Sequence, residues 1–171
     1  MENPKPISTL EKARSFNASK CYFGTVAEIG AGQEISRWLF KVGSTAGTLA
    51  KAISAYDMAF SDAIYGPDPS GRYVVESRLK RMLDYEFDLL QNRGKEEIRD
   101  SRALFALANT VAAKSPRYKG DCHGWIGLRF QTKPKGDVNE IILHIRMLDS
   151  TNHQQQETLV ALVGFRDKDV A

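Results

Sequence analysis

The chain has 171 residues, 42% hydrophobic and 26% charged, with a formal net charge of +3. This composition fits one soluble globular domain with a real core and excludes a disordered chain. So small a charge gives no strong nucleic-acid signal, and no apolar run approaches the ~20 residues that a membrane helix needs.

The start, Met1-Glu2-Asn3-Pro4-Lys5-Pro6, places an acid and two prolines where a secretory signal has its apolar core, so a cytoplasmic protein is expected. Residues 1–20 read as a mobile arm with a helical turn near Leu10–Ser15. Two cysteines, Cys21 and Cys122, are too few for a disulfide framework and too far apart in sequence for a metal pair. Both are expected as reduced thiols, with Cys21 a small buried hydrophobe at the head of an apolar run.

Residues 21–29 form the first predicted strand, and Gly30-Ala31-Gly32 turns the chain. Ile35, Leu39 and Val42 share a stripe, which predicts a helix over 33–42. After Gly43–Gly47, a Ser44 or Thr45 cap predicts a second helix over 46–60, with Leu49, Ile53 and Tyr56 inward. Tyr65–Gly71 is a loop on turn chemistry. Val75, Leu79, Met82, Leu83, Phe87 and Leu90 then mark a helix over 74–91, ended by Gly94 as a left-handed cap. Residues 102–113 read as a buried strand, although their alanines also suit a helix. Two more strands, 124–132 and 139–148, are joined by Lys133–Asp137. Residues 153–164 read as the start of a helix. The expected fold is therefore α/β (α+β): a mixed or antiparallel sheet of about four strands, with three helices packed on one side. The domain is expected to run over 21–165.

Three groups of residues suggest chemistry. Gly30, Gly32 and Gln33 stand where a strand enters a helix. Glycines there let backbone N–H groups approach a phosphate at the positive end of the helix. The fingerprint is incomplete, because Ile35 occupies the third glycine position of G-x-G-x-x-G. Arg129, His144 and Arg146 share the polar faces of the last two strands and would suit a phosphate or carboxylate if they converge. The alternative is a solvated sheet face. His123 follows Cys122, and His153 lies one turn before Glu157. Neither pattern supplies a metal ligand set, so no metal is assigned. Asp57 and Asp62 do not share a helix face well enough for an acid–base pair. No catalytic residue or cofactor is assigned.

Several blocks carry a resemblance. They are Phe16–Glu34, Ile53–Met58, Ser61–Gly66, His123-Gly124-Trp125 and Gln154–Glu157. Together they resemble the N-terminal part of a largely uncharacterised bacterial protein family whose members are considerably longer. Names attached to that family include TonB-dependent receptor and nicotinamide-mononucleotide (or nicotinate-nucleotide) adenylyltransferase. The first implies an exported barrel of many strands, for which this chain lacks the length. The second implies nucleotidyl transfer, and the nearest string to its His-x-Gly-His turn is His123-Gly124-Trp125-Ile126. The charged end, Arg166–Ala171, reads as an abrupt stop, as in a truncated member with apolar surface left open. The expected partners are thus a phosphorylated small molecule or nucleotide at Gly30–Gly32 and, on the alternative reading, a second copy of the chain.

Overall fold

The computed structural model describes residues 7–116, 120, 122–148, 151 and 154–155. Five strands form one open sheet in the order β2-β1-β3-β4-β5. They are β1 (Tyr22–Gly30), β2 (Leu49–Ala55), β3 (Ala103–Ala112), β4 (His123–Gln131) and β5 (Val138–Arg146). β1 runs parallel to both β2 and β3, while β3, β4 and β5 are antiparallel neighbours. The sheet is mixed, the first of the two arrangements expected, with one strand more than the sequence suggested.

That extra strand is β2. The residues 46–60 expected as a helix instead make a short 3₁₀ turn (Thr45–Gly47), then β2, then the start of a helix over Met58–Tyr65. Its alanines and lysine favour a helix in isolation. Pairing along the exposed side of β1 outweighs that preference, because β1 otherwise presents unpaired backbone groups. Tyr56, expected inward, is exposed.

Among the described residues the helices that accompany the sheet are α1 (Thr9–Ala18), α2 (Glu34–Lys41), α3 (Met58–Tyr65), α4 (Glu76–Arg93) and α5 (Glu96–Ser101). Half of the segment expected as an arm, over residues 1–20, is therefore α1. Ser8 and Glu11 close a reciprocal capping box at its start, and Ala13 is fully buried. The Asn17 amide ties it to the Leu39 and Gly43 carbonyls at the end of α2.

The helices lie on both faces of the sheet rather than one. Side chains alternate along β1 and β3. Ala27, Ile29, Ala106 and Ala108 meet Leu79, Met82, Leu83 and Phe87 of α4. Val26, Phe105 and Leu107 meet Ala13 of α1 and Ile35 and Leu39 of α2 on the opposite face. Gly127 lets α4 approach β4, since a Cβ there would strike Leu83 and Leu79. Gly94 is not left-handed: its φ is −63°. A Cβ there would instead crowd the Leu90 carbonyl. Cys21 is exposed and Cys122 buried, so only the second behaves as a small hydrophobe. Most of the helix expected over 153–164 lies outside the described residues.

Candidate site at the ends of β1 and β3

β1 is the point where the topology divides. The chain leaves it through α2 to reach β2 on one side, and β3 lies on the other. In open sheets with parallel strands, ligands gather at the C-terminal ends of strands that flank such a division. Gly30–Gly32 occupies that place. Gly30 has φ +80°, and its outer position abuts the Val111 carbonyl, which also accepts the Ala31 N–H at 3.1 Å. Gln33 donates from its side chain to the Gly30 carbonyl at 3.0 Å, so it closes the turn. As N-cap of α2 it makes no side-chain capping bond. The first N–H groups of that helix thus lack the usual side-chain acceptor.

Beneath the turn lies a polar row that the sequence did not single out. Glu28 and Asn109 are partners in the β1–β3 register. Both face the α1/α2 side and are nearly fully buried, at 2% and 1% exposure. Ser36 of α2 donates to Glu28 Oε2 at 2.9 Å. Asn109 sits directly under Gly32, where any Cβ would overlap its carboxamide. Neither Oδ1 nor Nδ2 of Asn109 has a hydrogen-bond partner. Leaving such groups unpaired costs about 1–3 kcal/mol each. Tyr56, just beyond β2, has its hydroxyl pKa raised by partial desolvation and then by the Glu28 charge.

A cavity of about 360 Å³ opens on the same face, lined by apolar side chains that include Phe16, Val26, Ile35, Leu39, Leu107 and Phe130. Val26 and Leu107 precede Glu28 and Asn109 by two residues, so the polar row stands ~7 Å along the strands from this apolar floor. An apolar hollow with a few convergent polar groups is the usual form of a small-molecule site.

The second expected group is dispersed. Arg129 pairs in register with Glu140, and its guanidinium is held by Glu140 and by Asp84 of α4, each at 2.5 Å. His144 lies opposite Trp125, and Arg146 lies opposite His123. These residues face the α4 side. β5 stands three strand spacings, ~14 Å, from β1. The structure therefore does not bring Arg129, His144 and Arg146 to the glycine turn, and Arg129 already has two carboxylate partners. Asp57 caps α3 through the Phe60 N–H at 3.0 Å, while Asp62 pairs with Arg78, so this couple is structural. Among the described residues no group of three or more His, Cys, Asp and Glu side chains is placed to hold a metal ion. No helix among them is long and apolar enough to cross a membrane.

No protein-family profile and no curated protein matches the sequence. In fold, the chain is similar to several solved structures described as competence-damage (CinA) superfamily proteins. One such structure is the competence/damage inducible protein CihA from Agrobacterium tumefaciens, with a TM-score of 0.58 at 15% identity, covering 96% of this chain and 99% of that one. A CinA superfamily protein from Klebsiella pneumoniae 700603 aligns with a TM-score of 0.60 at 12% identity over 93% and 96% of the two chains. One from Enterobacter cloacae gives 0.55 at 17% over 96% and 95%. At these identities the likeness is one of fold. The open sheet with edges at β2 and β5 is not the closed barrel that the name TonB-dependent receptor implies, in line with the chain's short length.

Proposed function

We propose that the chain binds a nucleotide or other phosphorylated small molecule where β1 and β3 end. The observation that supports this reading most is Asn109. Its donor and acceptor are both buried and unpartnered, and Gly32, with no Cβ, lets the turn lie directly on the carboxamide. Polar atoms left so in a folded core call for an explanation, and a ligand that pairs with them supplies one. The reading gives Gly30 and Gly32 the role of backbone approach and the first turn of α2 the role of facing an anion. Glu28 would accept from ligand hydroxyl or amino groups, and its charge directs the phosphate away from itself toward the helix N–H groups. The cavity over Val26 and Leu107 would take an apolar ring. On the same reading the protein works in the cytoplasm. Adenylyl transfer gains no further support, because no carboxylate cluster among the described residues gathers to hold a metal–triphosphate.

The test is a thermal-shift panel of nucleotides, dinucleotides and sugar phosphates, with and without magnesium. A ligand at ~100 times its Kd should add about 2.7 kcal/mol. The shift should vanish in Gly32→Val where that variant remains folded. Silence of the folded wild type across the panel would overturn the reading.

A second reading, self-association without chemistry, has one specific observation behind it. Arg129 is neutralised by local acids, and the α1/α2 face of β5 presents Ile141 and Leu143 at 48% and 45% exposure. Light scattering behind size exclusion should then report an oligomer that Leu143→Glu dissociates. A monomer at high concentration would remove this reading.

A further inference from the structure

We propose that His123 and His144 form a bidentate site for a divalent transition-metal ion of the zinc, nickel or copper class. The two residues stand on neighbouring antiparallel strands, one register step apart: His123 faces Arg146, and His144 faces Trp125. Side chains on one face of such a pair can meet diagonally. Here they do, because His144 Nε2 lies 3.3 Å from His123 Nδ1. The ring centroids are 5.4 Å apart and the planes cross at 79°.

That nitrogen spacing suits a shared cation. Two imidazole nitrogens bound to a tetrahedral zinc at ~2.0–2.1 Å sit ~3.3–3.4 Å from each other. The strands already hold the donors at that separation, so capture of an ion needs small ring rotations rather than backbone movement. Without an ion the same gap is spanned by one N–H···N hydrogen bond. Binding then moves that proton, by exchange with solvent, to the donor ring's other nitrogen, and leaves both neutral imidazoles as ligands. Trp125 stacks on His144 with centroids 4.4 Å apart and planes 20° from parallel, which limits how far that ring can turn. A clamped ring loses less freedom on binding than a mobile one.

His144 is exposed and His123 half-buried, so an ion can enter from solvent. With two protein donors, the remaining positions fall to water or a small anion. Arg146, opposite His123, opposes any dication equally by its charge and favours an anion over water in those positions. Imidazole donors favour zinc, nickel and copper over magnesium or calcium. The site lies on the α4 side of the sheet and shares no residue with the Asn109 row. Either proposal can therefore fail without the other.

Trp125 makes the test direct. The chain has two tryptophans, so Trp38→Phe leaves Trp125 as the sole indole emitter. In tag-free Trp38→Phe protein at pH 7.5, Cu²⁺ should quench that emission saturably at one ion per chain. His123→Ala retains the Trp125–His144 stack and should weaken the apparent affinity at least tenfold. His144→Ala should do the same, and magnesium should have no effect. In ¹⁵N spectra of the imidazoles, Zn²⁺ should shift His123 Nδ1 and His144 Nε2 most. Unsaturable quenching, or equal quenching in both folded variants, would overturn the proposal. Zinc-induced shifts confined to other nitrogens would overturn it as well.

Discussion

Replacing Asn109 by leucine separates a functional residue from a structural one. The side chain is 1% exposed, and neither of its polar atoms has a hydrogen-bond partner. Each such atom costs about 1–3 kcal/mol. Leucine has nearly the same branched shape and no polar group, so the substitution relieves both penalties. Its methyls press on Gly32, which already lies against the carboxamide. Crowding of that kind costs about 1–3 kcal/mol. The balance predicts a net gain of about 1–2 kcal/mol. At ~2–4 °C per kcal/mol for a domain of this size, Tm should rise by roughly 2–8 °C. Urea denaturation at fixed pH, with unchanged m value, is the second readout. The stabilised variant should also lose the ligand response of the wild type, the usual relation between a site and the fold that carries it. A loss of more than about 1 kcal/mol in Asn109→Leu would mean instead that the carboxamide is paired in the native protein and serves the fold.

Three further outcomes follow from the packing. Gly30→Ala should destabilise by roughly 2–4 kcal/mol in urea melts, because φ is +80° and the new Cβ meets the Val111 carbonyl. Arg78 is 1% exposed and bound to Asp62, to the Gly66 carbonyl and over the Tyr73 ring. Arg78→Ala should cost about 3 kcal/mol, the lower end for a broken buried pair because Asp62 keeps some access to water. Asp68 is held at a pKa of about 2 by hydrogen bonds from the Ser70 and Ser77 hydroxyls and the Ser70 N–H. A depressed carboxylate stabilises the fold above its unfolded pKa, ~4, and loses that contribution as pH falls through its folded value. The Tm gap between wild type and Asp68→Asn should therefore be widest above pH 4 and shrink toward pH 2. A gap that grows on acidification contradicts the assignment.

The sequence pattern made the later strands legible because their alternation is strict. Ile126, Leu128 and Phe130 do share a face with Ile141, Leu143 and Ile145, through the pairs Ile126–Leu143 and Leu128–Ile141. The stripe on α4 was equally plain, since Leu79, Met82, Leu83, Phe87 and Leu90 are all buried. β2 was hidden because Leu49 and Ile53 fall at helical spacing among alanines, and only pairing with β1 decides their state. The start of α1 had a readable signal in Ser8-x-x-Glu11 that composition obscured. At the candidate site, the glycine turn was visible but its floor was not. Asn109 and Glu28 lie 81 residues apart in sequence (109 minus 28), and only the parallel register makes them neighbours. The one hint was an asparagine inside the apolar run from Ala103 to Ala112. The basic residues misled for the opposite reason: a strand pattern shows which face Arg129 takes but not that Asp84 of α4 waits there.

The most direct measurement is a ¹⁵N-HSQC titration of the wild-type chain with the nucleotide or sugar phosphate that shifts its melting most. The largest changes should fall on the backbone amides of Gly30 to Ser36 and on the Asn109 side-chain amide, and Asn109→Leu should abolish them. Changes centred instead on β5, or on Arg129 and its acidic partners, with the glycine turn silent, would contradict the proposed site.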